Sequence, residues 1–118
     1  MKPDPARVAE FLHHILQAIA RITTYTSGLT DADFAANSQV QDAVIRNIEI
    51  MGEAAKNIIS IDPDFSSRHT EIPLHDVYLM RNRLAHGYFS IDIALVWNAV
   101  KADIPALRKQ IEAVISSP

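Results

Sequence analysis

The sequence predicts an all-α protein, an antiparallel bundle of four principal helices with one short helix added. Three observations carry that expectation. Apolar residues return every three or four positions in four separate stretches of a 118-residue chain. Helix-start signals stand ahead of them, Asp4 before Pro5 and Thr30 before Asp33. Only three glycines break the chain. The length is near the commonest domain size, so residues 1–118 read as one domain able to bury a real core, with no internal repeat or linker.

Asp4 offers a carboxylate for the N-cap, and Pro5 is a first helical residue whose missing N–H is no loss. Val8, Phe11, Leu12, Ile15, Ile19 and Ile22 then give an amphipathic helix that ends near Gly28. Thr30, with Asp33 three residues on, opens a short helix over about 31–35. A long helix follows from about Ser38 to Ser60. Val44, Ile45, Ile48, Met51, Ala55, Ile58 and Ile59 form its wide apolar face, and Gly52, Ala54 and Ala55 thin it where another backbone could approach. Residues 62–73, with Pro63, two serines and Pro73, read as a loop and the longest connection. Pro73 begins the next helix, and Gly87 suits the left-handed residue past its end. Ser90 is expected to cap the last helix, with Asp92 in its first turn. Ile93, Val96, Val100, Ile104, Leu107, Ile111 and Val114 keep their spacing through Pro105, which predicts one helix bent where the proline removes the bond to the Lys101 carbonyl.

A charged fraction of 21% excludes a disordered class, and a formal net charge of −3 argues against a broad nucleic-acid-binding surface while leaving room for a small basic cleft. With no cysteine, disulfide stapling is excluded. The opening MKPDPARVAEF lacks the apolar run of a signal peptide and no segment approaches the length of a membrane span, so a cytoplasmic setting is expected.

The chemistry concentrates in residues 80–89, MRNRLAHGYF. At about 100° per residue, Leu74, Val77, Tyr78, Leu84 and Ala85 share one stripe of the helix, with Arg81 in its middle. A guanidinium there must be paired or face a cavity. Glu53, one turn after Glu49 on the flank of the preceding helix, is the nearest partner the sequence offers. His75, Asn82 and His86 share another face, and Arg81 and His86 stand about 140° apart, too divergent for a dyad within one helix. His75 and Arg83 are candidates for a cleft or for a structural role. By position alone, Arg81 reads as an ion-pair partner of Glu49 or Glu53, His86 as a cation at a helix C-terminus and Tyr88 as a packed aromatic. Glu10 and His13, with His14 adjacent, have the spacing that di-metal bundles use, but no second such motif accompanies them, so no metal or other cofactor is expected.

The R-x-x-x-x-H pattern at Arg81 and His86 resembles that of HEPN domains, and the tyrosine one residue further, Tyr88, makes it similar to the HepT-like branch. IEIMGEAAKNI upstream and RNRLAHGYFSIDIALVW downstream are also typical of HepT-like chains. The resemblance implies an HEPN-like helical toxin of a type VII-like toxin–antitoxin pair, acting as a metal-independent endoribonuclease in a cleft between two protomers. It implies catalytic roles for Arg81 and His86, a supporting role for Asn82, and transfer of AMP to Tyr88 by an antitoxin that is an MNT-type nucleotidyltransferase. The expected partners are therefore RNA, a second copy of the chain and that nucleotidyltransferase, in a homodimer or a larger complex away from any membrane. The alternative is a non-catalytic helical module whose cleft binds RNA, nucleotide or the partner nucleotidyltransferase.

Overall fold

The structure is a computed structural model that describes residues 4–86 and 91–116, the side chains of residues 85 and 86 excepted. Its described residues form helices joined by short connections, without strands: α1 (Pro5–Thr26), α2 (Asp31–Ala35), α3 (Ser38–Ile61), α4 (Phe65–Arg68), α5 (Leu74–His86), and a last run made of α6 (Ile93–Asn98), a π turn (Ala99–Asp103) and α7 (Ile104–Ser116). The four long elements are the expected ones.

The starts follow local chemistry. Asp4 accepts from the Ala6 and Arg7 amides, while Thr30 and Asp33 form a reciprocal capping box. Gly28 takes the left-handed conformation, φ 76°, just past the end of α1. Gln41 of α3 reaches back to the Phe34 and Ala35 carbonyls at 2.8 and 3.1 Å, satisfying the end of α2.

Three expectations need correction. The 62–73 connection is not all loop: one turn, α4, forms because Phe65 is buried and Arg68 pairs with the buried Asp62 carboxylate. The last helical run is capped by Asp92, which accepts from the Leu95 amide at 3.2 Å, and Ser90 lies outside the described residues. Its discontinuity is a π turn ahead of Pro105, in which the Ile104 amide bonds back to the Ala99 carbonyl, so the ladder is re-registered before the proline removes a donor. Val96, Val100, Ile104, Leu107 and Ile111 are all buried through that turn. Gly87, the expected helix terminator, lies outside the described residues.

The core joins α1, α3 and the last run, with Ile15, Ile19, Ile22, Phe34, Val44, Ile58 and Ile111 almost fully enclosed. Phe34 stacks on Trp97 at 4.7 Å, and the Trp97 indole N–H donates to Asp31, which ties α2 to α6. α3 is central, packing most extensively on α1 and α5. No helix among the described residues is long and apolar enough to cross a membrane.

Candidate active site

α5 starts where the Pro73 carbonyl accepts its first helical bond, from the Val77 amide at 3.1 Å. Leu74 and Leu84 anchor its two ends in the core, and Val77, Tyr78, Met80, Arg81 and Asn82 are half-buried between them. The apolar stripe is therefore the face laid on α3, with Arg81 within it as its position requires.

Gly52 of α3 makes room for that arginine. A Cβ placed on Gly52 would lie 2.0 Å from the Arg81 Cβ and 2.6 Å from its Cγ, with the Val77 carbonyl oxygen at 3.3 Å. What the thinned stretch of α3 admits is thus chiefly an arginine stem. From there the guanidinium donates from Nη2 to Glu53 Oε2 at 3.2 Å and from Nη1 to Asn82 Oδ1 at 3.1 Å. Among the described residues these two bonds leave three of its five N–H donors available. The pair is no internal lock, since the Arg81 and Glu53 side chains are 31% and 50% exposed. Glu49 turns to Arg46 instead, at 3.8 Å.

Arg81 borders a groove of about 340 Å³ between α1, α3 and α5, lined also by Phe11, His14, Arg46, Glu49, Ile50, Glu53, Ala54 and Asn57. Phe11, Ile50 and Ala54 supply its apolar lining and the polar side chains carry both signs of charge. The sequence held a signal for this wall: Arg46, Glu49, Glu53 and Asn57 recur at three- and four-residue spacing along one flank of α3. His14 contributes from α1, where its Nε2 lies 4.0 Å from Glu10 Oε1. Among the described residues no three His, Cys, Asp or Glu side chains gather as a metal site would need.

The sequence-predicted residues divide accordingly. Arg81, Asn82 and Glu53 come together. His75 and Arg83 do not join them: both are exposed and neither lines the groove, because six and two positions from Arg81 put them more than about 100° around α5. The His75 ring instead stands 6.4 Å from the Tyr78 ring. His86 is the last residue of α5, and its side chain, like all of Tyr88, lies outside the described residues.

A partly exposed arginine at the edge of a mixed groove does not by itself specify a chemistry. The family described as "Ribonuclease HepT-like" matches residues 15–114. The chain belongs to this family. It is 41% identical over 103 residues to a protein named probable ribonuclease HepT from Thermococcus cleftensis, covering 87% of this chain and 91% of that one. It is 36% identical over 107 residues to a candidate RNase of Methanocaldococcus jannaschii, covering 91% and 95% of the two chains. A longer protein of the same organism, named as a gamma-glutamylcyclotransferase and candidate RNase, is 43% identical over 101 residues, but these make up 44% of its length. No solved structure matches.

Proposed function

We propose that this HepT-like chain is a metal-independent endoribonuclease acting as a homodimer, with Arg81 and His86 as its catalytic residues. The observation that supports it most is the presentation of Arg81: in a ribonuclease family, the arginine of the 81–86 motif is held by its stem and by two bonds with part of its fork left available. A planar, permanently charged fork suits a phosphate whose charge grows in a phosphorane-like transition state.

Cleavage without a metal also needs a base and an acid. The 2′-hydroxyl loses its proton to the base as its oxygen bonds to phosphorus, and the 5′ oxygen leaves with a proton from the acid. The products are a 2′,3′-cyclic phosphate and a 5′-hydroxyl. Imidazole serves both steps because its unperturbed pKa, about 6.5, lies near working pH. One chain supplies one motif histidine, so His86 and its symmetry mate take the two roles across a twofold axis. Asn82 holds the arginine. In the same reading the chain is the toxin of a toxin–antitoxin pair, and an MNT-type nucleotidyltransferase silences it by joining AMP to Tyr88, adding bulk and negative charge two residues from His86.

The test is cleavage of total tRNA by purified protein, with Arg81→Ala and His86→Ala alongside. The variants are expected to lose at least about 100-fold in rate while dimer and melting temperature stay intact, and both are expected to relieve growth arrest. Full cleavage by either variant, or none by the wild type, would leave the binding-module reading. Mixed dimers of His86→Ala with wild type test the paired histidines, and activity near half of wild type or above would sink that version. Mass spectrometry after coexpression with the nucleotidyltransferase is expected to find AMP on Tyr88.

A further inference from the structure

We propose that Gly52 and Glu53 form a two-point seat that aims Arg81, Gly52 placing its stem and Glu53 its guanidinium, so that both are positioning residues for RNA cleavage; this rests on the reading of Arg81 as the phosphate-binding group. Gly52 lies within α3, and a helix-interior glycine is disfavoured relative to alanine. What the position gains is space. Non-bonded carbons meet at about 3.5–4.0 Å, and a methyl on Gly52 would stand 2.0 and 2.6 Å from the first two carbons of Arg81. Those carbons cannot swing clear as a chain end would. The Cβ is fixed by the backbone of α5, and the Val77 carbonyl, 3.3 Å from the same point, is backbone itself. Any side chain at 52 must therefore push α5 away from α3 and carry the root of Arg81 with it.

The next residue completes the seat. Glu53 takes Nη2 at 3.2 Å while Asn82 takes Nη1 at 3.1 Å. The fork is thus referenced to α3 at both its root and its tip, through two adjacent residues. Displacing either end turns the remaining N–H donors away from the groove. A misplacement of about 1 Å at a reacting centre can cost about 100-fold in rate.

The experiment follows cleavage of a fluorophore- and quencher-labelled, mixed-sequence single-stranded RNA by the full-length wild type, Gly52→Ala, Glu53→Ala and Arg81→Ala, with the Arg81 Nε resonance recorded by NMR. Gly52→Ala is expected to lower kcat about tenfold or more and Glu53→Ala about three- to tenfold, with smaller changes in KM and a displaced Arg81 Nε resonance in each. A purely packing role would lower the melting temperature and leave kcat of the folded enzyme alone. Wild-type kcat and an unmoved resonance in folded Gly52→Ala overturn the proposal, as does a rise in kcat for Glu53→Ala, which would mark the glutamate as a competitor for the arginine. Should Gly52→Ala not fold, Glu53→Ala decides, its side chain being half exposed: lowered kcat at wild-type melting temperature supports the seat, and unchanged kcat overturns it. Inactive Arg81→Ala beside fully active seat variants rejects the seat alone, whereas an active Arg81→Ala rejects the underlying reading with it.

Discussion

Helices α1 and α5 both pack on α3, and they do so with opposite compositions. α1 presents Val8, Leu12, Ile15, Ala18, Ile19 and Ile22, all buried, and its last turn is closed by the buried Thr26 hydroxyl donating to the Ile22 carbonyl at 2.8 Å. α5 buries Leu74 and Leu84 and fills the space between them with half-buried groups, among them Arg81 and Asn82. Leu79 of α5 is 45% exposed, whereas Ile15 of α1 is wholly enclosed. α1 is built to exclude water. α5 gives up part of that burial to hold a cation at a groove edge, which predicts that stability and activity respond to substitution in different helices.

The largest effect should come from the first of these. Ile15→Ala removes enclosed methyl and methylene groups and is expected to cost about 2–5 kcal/mol, read as a lower denaturation midpoint with the kcat of folded protein preserved at low temperature. Leu79→Ala should change monomer stability by no more than about 0.5 kcal/mol. Equal losses from the two would break the contrast between the helices.

A smaller effect sharpens it from the other side. Asn82→Ala removes the 3.1 Å bond to Arg81 Nη1 from a half-buried site. About 1 kcal/mol of lost orientation corresponds to roughly a fivefold fall in kcat/KM, with a change in melting temperature well below that of Ile15→Ala. A stability loss matching Ile15→Ala would make Asn82 a structural residue and α5 more like α1 than its composition suggests.

The same division governs what could be read from the sequence. Helices dictated by periodicity and caps were legible, because Asp4, Thr30 and the α1 apolar stripe act within a few residues of themselves. The one-turn α4 was not, since Phe65 turns inward through tertiary burial that proline and serine content conceals. Nor was the π turn: the apolar spacing runs on through Pro105, and periodicity carries no mark of one re-registered turn. At the site, Arg81 and Glu53 could be named because a guanidinium in an apolar stripe demands a partner, whereas Asn82, placed on another face by helical spacing, was named only by the resemblance to HepT-like chains. Helical spacing marks the α3 side of the groove wall, Arg46 and Asn57, but that Phe11 and His14 of α1 complete it depends on a packing angle no local pattern encodes. Gly52 could be seen as a close approach, but what approaches depends on the register of α5 against α3.

Two carboxylates differ in the same way. Glu53 reaches across to another helix and holds Arg81. Asp33 acts within its own, where bonds from the Thr30 backbone amide and the Thr30 hydroxyl hold its carboxyl below the usual carboxylate range. A carboxyl depressed by folding contributes stability above its unfolded pKa, about 3.9, and loses that contribution as pH falls through the folded value. Asp33→Asn is therefore expected to melt slightly below wild type near neutral pH, with the gap closing as the pH drops below about 4, and to cleave RNA at the wild-type rate. Thermal melts across that range check the sign. A gap that widens with acid would show that the box does not favour the charged carboxylate, and a loss of cleavage would show that helix-start chemistry at α2 is coupled to the α3–α5 site after all.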